Sequence, residues 1–157
     1  MRLVSTAVVA CWAVVSATLP ASAAYQVIYD VLGVLDDGGA ANAGFATTIY
    51  CSNLSQNPVN VQVRAFNNLG SVAGNVRRVP IQGGRTVHFP THETAAYLDG
   101  GTSLNTGTID GRARIFSEVP NVIVCAADYV DAAGSPPTMI VPRRMIRHPR
   151  GTSGGED

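Results

Sequence analysis

The sequence contains no lysine: its eleven basic side chains are all Arg, eleven acids balance them, and charged residues make up only 14% of the chain. Without net charge there is no long-range pull toward a nucleic-acid backbone, which excludes nucleic acid as the expected partner. The only Trp, Trp12, lies near the N-terminus. If that segment is removed, stacking platforms for sugars or bases fall to Tyr and Phe alone. No apolar run reaches the roughly 18–20 residues that span a bilayer, so no membrane span is expected. No stretch after the N-terminal segment holds a helical period for more than two turns, so helices are not expected to build the core. Neither Cys51 nor Cys125 has a His close in sequence to lower its thiol pKa.

The N-terminus reads MRLVSTAVVACWAVVSATLPASAAYQ, with Arg2 before an apolar run from Leu3 to Val15, then Pro20 and the small residues Ala21-Ser22-Ala23. This is the pattern of a secretory signal peptide over residues 1–24, with cleavage after Ala23 or Ala24. Val8-Val9-Ala10-Cys11 resembles a lipid-attachment box, but too few apolar residues precede it for that use. The predicted mature chain is secreted or periplasmic. Processing leaves Cys51 and Cys125, an even pair in an oxidising compartment, and a disulfide between them is the expected state. A bridge over so long a loop would stabilise by roughly 4 kcal/mol in the chain-entropy treatment.

Eight strand-like segments follow: 25–34, 45–52, 59–66, 76–81, 85–90, 112–118, 122–130 and 138–146. Between them stand Gly, Pro, Asn and Asp clusters, each with a physical reason to turn the chain. Alternation assigns the faces. Val59, Val61, Val63 and Ala65 share one parity, while Asn60, Gln62 and Arg64 share the other. Val87 and Phe89 oppose Thr86 and His88, and Ala113 and Ile115 oppose Arg112 and Arg114. Seven or eight such strands imply an all-β, antiparallel sandwich over residues 25–147. Glu93 to Leu98 is compatible with one helical turn, and the chain from His148 to Asp157 reads as a disordered tail.

One segment departs from alternation. In VIVCAA, residues 122–127, both parities are apolar, so this strand is expected to be buried on both faces. The stretch 111–131 as a whole reads as a hairpin turning at Val119-Pro120-Asn121. Cover for Val122, Val124 and Ala126 comes from another part of the chain, such as the N-terminal strand or 139–146, or from an unknown protein partner or self-association.

Motifs for chemistry are sparse. Gly151-Thr152-Ser153-Gly154-Gly155 matches a nucleophile elbow in letters only, because no His and acid follow in a strand–turn–helix context. His88 and His92 with Glu93 offer zinc-type donors, but the two imidazoles stand about 13 Å apart on an extended strand, and two ordinary surface histidines explain them. Asp36-Asp37, Asp99, Asp110, Asp128 and Asp131 sit in or near loops, where turn chemistry explains them without calcium. No metal, cofactor or catalytic residue is assigned. Arg143, Arg144, Arg147 and Arg150 form the densest basic stretch, read as solvated charge or as a dock for anionic lipid, acidic polymer or protein. Arg112 and Arg114 are read as cross-strand charge opposite Asp128 and Glu118. Asn53-Leu54-Ser55 fits a glycosylation sequon.

The stretches FATTIYCSNLSQNPVNVQVRAFNNLG, VPIQGGRTVHFPT and GRARIFSEVPNVIVCAADYVD resemble small exported bacterial proteins with immunoglobulin-like sandwich folds and no assigned activity. The last stretch is also similar to the strand pair A-x-I-x-S-x-x-P-x-V-V of the sensory rhodopsin transducer sandwich family. The resemblance implies an immunoglobulin-like fold and carries no catalytic residue with it. The expected function is an exported, non-enzymatic structural or protein-binding module, with a calcium- or glycan-binding sandwich as the alternative.

Overall fold

The structure, a computed structural model, describes residues 24–97 and 101–149. Nine strands run in order: β1 Gln26–Asp36, β2 Phe45–Asn53, β3 Val59–Asn67, β4 Val72–Ile81, β5 Thr86–Pro90, β6 Ile109–Ser117, β7 Ile123–Asp131, β8 Ile140–Pro142 and β9 Met145–Arg147. They form two antiparallel sheets, β4-β3-β6-β1-β9 and β5-β2-β7-β8. The all-β sandwich is therefore as expected, with one strand more than the seven or eight predicted. Among the described residues there is no helix, and hence none long and apolar enough to cross a membrane. Ala95–Tyr97 form a turn where a helical turn was expected, and Leu98 lies outside the described residues.

Alternation builds the core. Val59, Val61, Val63 and Ala65 of β3 and Ala113 and Ile115 of β6 are buried against Ile49 and Cys51 of β2, Phe89 of β5 and Ile123 and Ala127 of β7. These are the inward parities of two facing sheets, and burial of each large side chain stabilises by roughly 1.5–3 kcal/mol. The long β4 bends at Gly74, which has a positive φ of 68°. A Cβ at this position would collide with the Leu104 carbonyl, so only glycine lets that chain approach.

Two expectations are corrected. The stretch 111–131 is not a hairpin: β6 lies between β3 and β1 in the five-stranded sheet, and β7 lies between β2 and β8 in the other. Glu118–Val122 instead carries the chain from one sheet to the other. Residues 138–146 are not one strand: β8 pairs with β7, whereas β9 pairs with β1 across the sandwich. Pro142 cannot donate a ladder hydrogen bond, and the chain changes sheets after it. Only β3–β4 and β7–β8 are consecutive strands paired with each other.

Candidate functional site

Cys51 and Cys125 are register partners on neighbouring strands β2 and β7, with Cα atoms 4.1 Å apart, and they form the expected disulfide across a sequence separation of 74. The bond ties two strands of one sheet, unlike the inter-sheet bridge of antibody domains. With both sulfurs in the bridge, neither cysteine offers a thiol for nucleophilic chemistry.

Around this staple, the outward parity of the four-stranded sheet splits into two halves. At one end Ala46, Thr48 and Val130 are buried, and the chain after β5 runs along that end through Thr91 N–H to Thr47 O and Ala95 N–H to Ala132 O. At the other end Val124 is 43% exposed and Ala126 half-buried, while Val122, just before β7, is half-buried against the core. VIVCAA is therefore not buried on both faces. Neither suggested segment covers it: β1 belongs to the opposite sheet, and β8 lies beside β7 rather than over it. Next to this strip, Tyr50 is register partner of both Ala126 and His88. Its hydroxyl donates to Asp128 Oδ2 at 2.5 Å. Burial, then the Asp128 carboxylate, pushes the phenol up to about 12. His88 stacks on Tyr97 at 4.6 Å between ring centroids, and burial lowers its pKa.

The two histidines do not meet. His92 is buried rather than on a surface strand: Nδ1 lies 2.8 Å from Asp36 Oδ2, and Nε2 lies 2.9 Å from Ala43 O. Past Pro90 the β5 ladder ends, so strand parity no longer tells which way residue 92 points. Asp36, Asp37 and His92 offer donor atoms within 4.8 Å of one another, the only such group among the described residues. Their carboxylate oxygens already serve the loop between β1 and β2. Asp36 Oδ1 accepts from Gly38 N–H, and Asp37 accepts from Gly39 N–H and Phe45 N–H. Gly44, with φ of 73°, lies so close to Asp37 that a Cβ would strike the carboxylate. Turn chemistry therefore accounts for this acidic pair, as the residue types implied. Of the other acids, Asp128 holds Tyr50, and Asp131 accepts from Ala133 N–H and Thr138 Oγ1. Asp99 and Gly151–Gly155 lie outside the described residues.

The sequon asparagine is engaged elsewhere. Asn53 is fully buried, and its Nδ2 donates to Asn57 O and Ile81 O, so the atom that would carry a glycan is used inside the fold.

The outer face of the five-stranded sheet collects residues that sequence reasoning left apart. In register across the strands, Arg78 pairs with Gln62 and Gln62 with Phe116, while Arg64 pairs with Arg114 and Arg114 with Asp30. The next row along is Phe66, Arg112 and Leu32. Guanidiniums lie over rings: Arg64 over Phe116 at 5.0 Å, Arg78 over Tyr25 at 4.6 Å and Arg112 over Phe66 at 4.6 Å. Arg112 and Arg114 do not face Asp128, which is in the other sheet; both reach Asp30 Oδ1, at 3.3 and 3.1 Å. Glu118 instead accepts from Asn60 Nδ2. His148, placed by sequence at the start of the tail, is hydrogen-bonded to this face, with Nε2 2.8 Å from Asp30 Oδ2. Burial alone would raise the Asp30 pKa, but the bonds from His148 and Arg114 outweigh it and hold the carboxyl below its usual range. The outward parity of Arg64, Arg112 and Arg114 was readable; that β3 and β6 are neighbours was not.

In comparisons with protein-family models, curated proteins and solved structures, nothing matches the chain.

Proposed function

We infer that this chain is an exported, non-enzymatic structural or protein-binding module, secreted or periplasmic, that holds a protein partner or a second copy of itself against the open half of the four-stranded sheet. The observation that carries the reading is Val124, 43% exposed beside half-buried Ala126, with the disulfide fixing its own strand β7 to β2. Covering such a strip removes apolar area from water, and the bonded strands lose little freedom in presenting it. The disulfide also supports an oxidising compartment, as does the N-terminal segment.

Light scattering of the purified chain over a wide concentration range tests self-association. A mass rising toward twice the monomer, and restored to monomer by Val124→Asp, is the supporting result; a constant monomer leaves the partner version alone. That version expects Val124→Asp to lose a protein captured from envelope extract by the unchanged chain. Equal capture by both would remove the strip as an interface. Fusing residues 1–24 to a reporter active only outside the cytoplasm tests export.

The calcium alternative has one observation in its favour, the Asp36, Asp37 and His92 group. It stands second because backbone amides occupy the carboxylate oxygens. A melting temperature that rises with calcium and falls on chelation would reverse that order.

A further inference from the structure

We propose that a cavity at one end of the sandwich binds a carboxylate carried on a compact apolar body, with Arg147 as the group that meets the charge. The site is separate from the apolar strip: neither Val124 nor Ala126 lines it.

Three parts of the chain meet there. The start of β1 contributes Gln26 and Val27, and the link from β6 to β7 contributes Pro120 and Asn121. The end of β9 contributes Arg147, followed by His148 and Pro149. The space between them is about 400 Å³, within the range of small-molecule sites. Its wall is held from behind. The His148 backbone N–H donates to Ile28 O, and its ring Nε2 lies 2.8 Å from Asp30 Oδ2, so the chain after β9 is fixed against β1 at two points. A wall ordered before binding loses little freedom when the site fills.

Charge selects the head of the ligand. Of the basic stretch that begins at Arg143, Arg143 itself lies over the Tyr129 ring and Arg144 stands outside the cavity, whereas Arg147 lines it. Among the described residues the Arg147 guanidinium has no hydrogen bond or ion pair, and its one contact is the Tyr29 ring, 5.8 Å away at the centroid. Its planar N–H fork is thus open to the two parallel bonds that a carboxylate accepts. No acid among the described residues lines the cavity. Asp30, which His148 touches, already takes Arg112 and Arg114 as well, and Glu118, two residues before Pro120, accepts from Asn60. An anion entering the cavity therefore meets an unpaired guanidinium and no competing carboxylate. The side-chain amides of Gln26 and Asn121 stand on the same lining and are donor groups.

The rest of the lining selects the body. Val27, Pro120 and Pro149 carry no polar side-chain atom, so the remainder of the ligand meets hydrocarbon. A bare inorganic anion would leave that wall uncovered.

The test is heteronuclear NMR of the isotope-labelled whole chain, titrated at low salt with hydrocinnamate and, in parallel, with its neutral amide hydrocinnamide. Roughly millimolar binding of hydrocinnamate is expected, with shifts at the amides of Gln26, Val27, Asn121 and Arg147. Hydrocinnamide should bind about tenfold more weakly, and Arg147→Ala should weaken hydrocinnamate by roughly five- to tenfold. Arg147→Lys, which keeps the charge but loses the fork, should weaken it less, and Arg144→Ala should leave it unchanged. The dispersion of the remaining amide signals shows that each variant is folded. The peptide glycyl-glycyl-phenylalanine probes the other source of the same chemistry. Binding tighter than that of hydrocinnamate, and lost when the peptide is amidated, supports the site with chain ends as its ligands; the reverse order supports it with free acids. Shifts absent from the cavity, hydrocinnamide binding as well as the acid, or Arg147→Ala binding as well as the unchanged chain overturns the proposal. Sulfate binding as tightly as hydrocinnamate also overturns it, because the apolar wall then plays no part.

Discussion

The two outer faces of this sandwich solve opposite problems. On the five-stranded sheet, polar groups meet one another: arginines lie over rings, Asp30 takes Arg112, Arg114 and His148, and Asn60 donates to Glu118. On the four-stranded sheet, the open half presents Val124 beside a covalent staple. The basic face is held by many weak, salt-sensitive contacts, whereas beneath the open half a disulfide on the core side bonds β2 to β7. The difference shows that strand alternation alone does not determine what a wet face is for; the neighbours it is given decide.

The largest expected effect falls on the stapled face. Replacing both cysteines, Cys51→Ala with Cys125→Ala, should cost about 2–5 kcal/mol in denaturant unfolding, with exchange protection lost first between β2 and β7. Equal loss in both sheets would mean that the sandwich unfolds as one unit and that the comparison does not extend to local stability. Next, His92→Ala removes the ring between Asp36 and Ala43 and leaves buried acceptors unmatched, which should cost about 1–3 kcal/mol and loosen the β1–β2 loop. Smaller is Asp30→Ala, which leaves Arg112 and Arg114 side by side without their carboxylate. On a partly exposed face this should cost about 1 kcal/mol, most visibly at low salt.

The pH responses of the two faces differ in sign. Asp30 has a lowered folded pKa, so its contribution is present above its unfolded value of 3.8 and is lost as pH falls through the folded one. Tyr50, raised from 10.0 to about 12, contributes below pH 10, and that contribution is lost as pH rises toward about 12. Acid should therefore weaken the basic face and alkali the apolar one. Melting temperatures at both extremes, compared between the unchanged chain, Asp30→Asn and Tyr50→Phe, check this. The smallest expected effect on stability is Val124→Asp, within about 0.5 kcal/mol, since the residue is exposed and its role is contact with something else.

Much of the fold was legible because it is local. In β3 the assigned inward residues are all buried, and six other segments coincide with strands to within a few residues. The misreadings have separate causes. Val119-Pro120-Asn121 has the composition of a hairpin turn, yet the chain there crosses to the other sheet, because a five-residue link serves either purpose and turn residues do not name the next strand's partner. VIVCAA looked doubly buried because Val124 is as apolar as Ile123. His92 looked exposed because parity was carried past the end of the ladder.

The sequence by itself determined the all-β class, the inward parity of most strands and, in having two cysteines after the N-terminal segment, the disulfide. Each depends on covalent identity or on a period of two along one strand. Only the tertiary structure decided that Arg64, Arg78, Arg112 and Arg114 share a face with Asp30, and that Val124 is left open. Those outcomes depend on which strands lie side by side. That choice is made by packing of the whole core across long loops whose closure entropy varies little with length, so it leaves almost no trace in any short stretch of residues.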